Sequence, residues 1–170
     1  MDVRPSQDEY GGHFGNYIRL VPEGNLIDIL AAQESQTFSL ISSLDESQGD
    51  HRYAEGKWSL KEVIGHIPDT ERVMSYRLLR ISRGDETPLP GFDQDLFIQN
   101  APFGGWSFSQ LAEEYRAVRQ ATLSLLRGLT EDAWNRRGTA SNVGMTVRAL
   151  ANVIAGHELH HVGIIRDKYL

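Results

Sequence analysis

Apolar residues recur along this chain at helical spacing in four blocks, and no segment alternates convincingly enough to predict a strand. In the first block Leu26, Ile29, Leu30, Phe38, Ile41 and Leu44 share one stripe, with Asn25 before them as a suitable N-cap. The second block opens on a capping box, Ser59 with Glu62, and Trp58 is placed to staple onto Val63. Its apolar face reads Val63, Ile67, Met74, Leu78, Ile81. Pro68 removes the hydrogen bond to the Ile64 carbonyl and predicts a bend, not an end, because the stripe keeps phase on both sides.

The third block follows a second capping box, Ser107 with Gln110, and runs to about Leu126 before Gly128, with Leu111, Tyr115, Val118, Thr122 and Leu125 facing inward. A short turn at Thr130 to Trp134 and a polar loop, NRRGTASNVG, lead to the last helix. That helix starts near Thr146 and carries Val147, Leu150, Ile154, His157, His161 and Ile164 or Ile165 on its stripe. Between the second and third blocks, Arg83 to Trp106 is rich in Pro and Gly and long enough to predict a lid-like loop. The expected fold is all-α, a single four-helix-bundle domain over residues 1–170, with an irregular N-terminal segment at 1–24.

Composition narrows the function. The 170 residues include 23 acidic and 17 basic side chains, a net charge of −6, with no Lys/Arg cluster of the kind that binds nucleic acid. There is no apolar run of signal-peptide or membrane-span type, which predicts a cytoplasmic protein whose partners are small molecules. The absence of cysteine removes disulfides, thiolate nucleophiles and Cys-ligated zinc, and leaves His, Asp and Glu for any metal.

His157 and His161 stand at i and i+4 on the apolar stripe, about 6 Å apart on one face, close enough to share an ion. Two core histidines bonded to carbonyls would give the same pattern. The segment HELHH also satisfies the zincin helix motif, with Glu158 as general base. Those proteases take a third ligand from downstream, and only nine residues follow His161, all expected on the same helix, so the zincin reading is rejected and a third ligand is expected from upstream. His66 is the best placed. At about 1.5 Å per residue it lies about 10 Å from its helix start, and the His157/His161 midpoint lies about 15 Å from its helix end. If the two helices run antiparallel, the three meet at one end of the bundle. Three histidines leave the fourth tetrahedral position open, as catalytic zinc requires.

Other positions carry secondary expectations. Asp69 and Thr70, at i+3 and i+4 from His66, are placed to orient its ring or a water, with a solvated carboxylate as the alternative for Asp69. Glu158 reads either as a general base or as a helix-surface acid. Arg77, three turns beyond His66 on roughly the same face, reads as a receiver of a substrate or cofactor anion, or as a side chain snorkelling to solvent. His13 and His51 lie in polar segments, and His160 points to a neighbouring face. Trp58 and Trp106 read as staple and core residues.

The segment GKWSLKEVIGHIPDTERVMSYRLLRISRGDETPLPGFDQD and the C-terminal HELHH, in this order, resemble the DinB superfamily from about residue 26 to the end. The resemblance implies a four-helix bundle with zinc or nickel held by three histidines, mapping onto His66, His157 and His161. It also implies homodimers, and chemistry that uses low-molecular-weight thiols such as bacillithiol or mycothiol. Pro68 departs from the helix former expected near His66. The leading expectation is a metal-dependent S-transferase or hydrolase acting on a small electrophile. A metal-binding stress-response protein without turnover, with its site closed by Asp69 or Glu158, is the alternative, and a helical scaffold with core histidines is a third.

Overall fold

The computed structural model describes residues 4–170, so the first three residues of the irregular N-terminal segment lie outside the described part. Four long helices form the bundle. In chain order the α-helices are α1 (Gly15–Ile18), α2 (Leu26–Ser42), α3 (Leu60–Ser82), α4 (Gln94–Asn100), α5 (Phe108–Arg127), α6 (Glu131–Asn135) and α7 (Val147–Ile164), the last continuing into a π-helical turn, Ile165–Tyr169. The long ones, α2, α3, α5 and α7, start where their caps predict. The Asn25 side chain accepts from the Ile27 and Asp28 amides, Ser59 and Ser107 complete capping boxes with Glu62 and Gln110, and Thr146 caps α7 through the Ala149 amide. Helix α3 runs unbroken through Pro68, as the continuous stripe predicts.

Three expectations are corrected. The polar loop before α7 is a β-hairpin: β1 (Arg137–Ala140) pairs antiparallel with β2 (Val143–Thr146), Ala140 opposite Val143. Both turn residues, Ser141 and Asn142, have positive φ (52° and 63°), the backbone twist that closes a two-residue hairpin. Four-residue strands, each with a glycine, leave too little alternation to read. The segment from Arg83 to Trp106 is not a bare loop either. Asp93 caps α4, Phe103–Gly105 forms a 3-10 turn, and Leu89 is bonded on both sides to the hairpin backbone, from its amide to the Thr139 carbonyl and from the Ser141 amide to its carbonyl. The N-terminal segment is built as well as long: α1 lies along α7, and Glu9 accepts from Thr146 and Arg148 at the α7 start.

Helix α2 packs along α5, and α3 packs along both α7 and α5. The interior divides into two apolar clusters. One gathers Leu30, Met74, Leu78, Leu123, Leu150 and Ile154 around the end where α1 docks. The other gathers Ile41, Ile64, Ile67, Leu111, Tyr115 and Ile165. Where each long helix passes from one cluster to the other it carries buried polar side chains: Gln33 and Thr37 on α2, Thr70 and Glu71 on α3, Arg119 on α5, His157 and Glu158 on α7. A polar layer therefore crosses the bundle, and the histidines expected to bind metal sit at its edge.

Candidate metal centre

Helix α3 supplies His66 and α7 supplies His157 and His161. One ring nitrogen from each lies within 4.8 Å of the other two, and they are the one such group of three His, Cys, Asp or Glu side chains among the described residues. The Nε2 atoms of His66 and His157 are 3.0 Å apart, and ring centroids are separated by 4.9 Å for His66 and His157, 4.7 Å for His66 and His161, and 4.5 Å for His157 and His161. Two nitrogens bound to one zinc at about 2.1 Å in tetrahedral geometry stand roughly 3.4 Å apart, so this spacing is close to that of a shared ion.

The residues fit a divalent cation on a further count. The Nδ1 of His161 is buried and has no hydrogen-bond partner among the described residues, which is costly for a ring nitrogen unless something else meets the ring. Burial pushes the His66 imidazole down to about 4, with the nearby His160 adding to the effect. His161 falls to about 3 by burial and by its histidine neighbours, and His157 is held well below its ordinary value for the same reasons. All three rings are thus neutral at pH 7, the form that ligates metal. The Thr70 hydroxyl stands 3.4 Å from His66 Nδ1 and 3.3 Å from its Nε2, the indole of Trp58 packs 4.8 Å from the His66 ring, and Tyr17 meets His157 edge-on at 5.4 Å.

Glycines bring the two walls in. A Cβ on Gly65 would strike the Phe103 ring at 2.5 Å, so the 3-10 turn packs flat on the α3 backbone beside His66. A Cβ on Gly156 would lie 2.1 Å from the Tyr17 carbonyl oxygen, so α1 rests directly on the α7 backbone beside His157. Two cavities of about 320 and 310 Å³ flank the cluster. His161 and Trp58 line the first, His157 and Thr70 line the second, and Gln94 of α4 borders both.

The remaining expected residues divide. Glu158 is not a surface acid: it is 1% exposed, and its carboxylate accepts from the Thr37 and Tyr115 hydroxyls and the Arg119 guanidinium. Its carboxylate is thus engaged in the polar layer, and it is not one of the three side chains of the histidine group. Asp69 is half-buried, 3.6 Å from Arg72, and lines a different cavity with Phe103 and Trp106; burial raises its pKa. Arg77 does not snorkel but is buried, and borders the cavity that His157 lines. His51 is exposed, His13 is exposed at the rim of that same cavity, and exposed His160 meets Tyr17 and His161 edge-on. Trp58 does more than staple: its indole N–H reaches Asp95 of α4 at 3.1 Å, tying the α3 start to the 83–106 segment.

Sequence reading missed Arg119 and Glu71, whose bidentate pair (2.9 and 2.8 Å) anchors the polar layer, and the Leu30 carbonyl that Arg119 also reaches. The signal was present. Arg119 lies four residues after Tyr115 and Glu71 four after Ile67, each a charge on an otherwise apolar stripe.

Known proteins share this arrangement of helices. YfiT from Bacillus subtilis, described as "a probable metal-dependent hydrolase with an unusual four-helix bundle topology", superposes with a TM-score of 0.69 at 18% identity, covering 98% of this chain and 91% of its own. The mycothiol-dependent maleylpyruvate isomerase gives 0.64 at 19% identity over 85% of this chain and 61% of its own. By sequence, a protein of Oceanobacillus iheyensis named "Putative metal-dependent hydrolase" is 26% identical over 128 residues, 74% of this chain and 73% of the relative. The sequence pattern of the DinB superfamily matches residues 29–165, a span holding all three histidines, and the chain belongs to that superfamily.

Proposed function

We propose that this protein is a metal-dependent enzyme in which His66, His157 and His161 hold one divalent ion, zinc or nickel, and that it acts on a small electrophilic molecule with water or a low-molecular-weight thiol as nucleophile. The observation that carries this reading is the trio of neutral ring nitrogens from two helices, within 4.8 Å of one another and between two cavities. The names of its relatives support the metal-dependent part, and the thiol-dependent isomerase supports the choice of nucleophile. When bound, such an ion supplies Lewis acidity and lowers the pKa of a coordinated water or thiol.

The rest of the site prepares for that chemistry. Three uncharged ligands leave the ion's full charge to act on what it binds. Thr70, Trp58 and Tyr17 hold the rings in place. The Glu158–Arg119–Glu71 group fixes α7 against α3 and α5, and so fixes His157, next in sequence to Glu158, against His66. The two cavities give separate approaches for nucleophile and electrophile.

The test is to load the protein with zinc or nickel and assay it with a panel of esters and amides, and with thiols plus small electrophiles. Turnover that scales with bound metal and disappears in His157→Ala is expected. Metal bound at one per chain with no turnover in either panel would favour storage without catalysis and overturn the enzymatic reading.

A further inference from the structure

Two arginines of this protein are withdrawn from solvent, and only one has an anion. Arg119 faces Glu71 and Glu158. Arg77, 2% exposed, meets no carboxylate among the described residues. Its Nη2 donates to the Pro90 carbonyl (2.6 Å) and the Ser141 hydroxyl (2.9 Å), its Nη1 stands 3.5 Å from the Met74 sulfur, and the Phe92 ring lies 5.7 Å from its Cζ. A guanidinium has five N–H donors, and the hydrogen bonds to oxygen here both run from Nη2, so Nε and most of Nη1 have no oxygen acceptor among the described residues. Buried charges are ordinarily paired, and an unpaired one beside a cavity marks a place for a counter-ion.

The surroundings hold this cation in position without neutralising it. Ser141 is at the hairpin turn with φ 52°, and its amide is bonded to Leu89, whose successor in the chain, Pro90, supplies the carbonyl. Hairpin and 83–106 segment are thus joined where they grip Arg77. The guanidinium borders the cavity of about 310 Å³ whose wall also includes His157, Phe14, Tyr17 and Phe92. One arginine, no lysine and three aromatic rings in the wall, Phe14, Tyr17 and Phe92, suit a monoanion with an apolar body better than a phosphate.

We infer that this cavity binds a small organic carboxylate with an apolar or aromatic body, its carboxylate on Arg77 and its other end toward His157. Arg77 is then a specificity-determining residue that holds the substrate away from solvent beside the histidine cluster. Placing the reacting end there rests on the metal-dependent reading; the binding itself does not.

The experiment titrates metal-loaded wild type, Arg77→Met and Arg77→Lys with benzoate and with benzamide by calorimetry, with the metal content of each protein measured in parallel. Benzoate is expected to saturate wild type in the millimolar range, as about nine heavy atoms allow. Benzamide should bind about ten-fold or more weakly, Arg77→Met should lose benzoate affinity to a similar degree, and Arg77→Lys should keep part of it, all at unchanged metal content. Amide NMR of the wild type, with Gly91 and Ser141 shifting on benzoate and not on benzamide, gives the same answer if Arg77→Met does not fold. Equal binding of acid and amide, no saturation by benzoate, or full benzoate affinity in Arg77→Met, as direct binding to the metal would give, overturns the inference. Absence of metal in wild type would sink the metal reading alone, since the titrations still report on the cavity.

Discussion

The Nε2 atoms of His66 and His157, 91 residues apart in the chain, face one another at 3.0 Å in the interior of the bundle. Two imidazoles at that distance cannot both be protonated without strong repulsion, and their burial already disfavours the charge. With one neutral ring donating N–H and the other accepting, the pair is an ordinary hydrogen bond, and the same two nitrogens are placed to share a cation instead; several consequences can be measured.

The metal-free protein should lose stability in mild acid. His66 and His161 titrate at about 4 and about 3 in the folded state, and His157 is also depressed, against about 6.5 unfolded. Folded values below unfolded values mean that unfolding takes up protons once the pH falls below about 6.5, so stability drops from there toward about 4. Each histidine contributes up to about 1.4 kcal/mol per pH unit. Urea denaturation of metal-free protein between pH 7.5 and 4.5 should show this fall, shallower in His66→Gln. A midpoint independent of pH in that range would refute the buried neutral trio.

Gly156 and Gly163, on the same helix, should respond oppositely to alanine. At Gly156 the new methyl meets the Tyr17 carbonyl oxygen, so α1 must move, at a cost of about 1–3 kcal/mol. At Gly163 nothing lies within 4 Å, and alanine should stabilise the helix by about 0.5–1 kcal/mol. Thermal denaturation of the two variants checks both signs. A neutral Gly156→Ala would mean that α1 does not rest on α7.

Removing the charge of Arg119 leaves Glu71 and Glu158 facing one another in the polar layer. Arg119→Met should therefore cost about 3–5 kcal/mol, and Arg119→Lys should recover little of it, because a lysine cannot make the bidentate pair. Denaturant titration measures the loss. A variant as stable as wild type would show that the layer contributes nothing to the fold.

Much of this was legible in the sequence for identifiable reasons. Caps are local chemistry, so Asn25, Ser59, Ser107 and Thr146 marked the helix starts within a residue. The pair His157 and His161 followed from one helical turn, and His66 from depth along a second helix. What escaped reading depends on contacts distant in sequence. The hairpin turns on two positive-φ residues that are not glycine, and its strands are four residues long. The N-terminal segment looked irregular because its order comes from Gly156 and Tyr17, far apart in the chain. Arg119, Glu71 and Glu158 are charges whose burial only their mutual pairing permits.

The central claim is that one ion sits among His66, His157 and His161. The most direct measurement is elemental analysis of untagged protein purified without added metal, for wild type, for His66→Ala and for the His157→Ala/His161→Ala pair. Near one zinc or nickel per chain in wild type, and none in either variant, is the predicted result. Wild type that stays empty after both metals are offered, or His66→Ala that keeps a full complement, would contradict it.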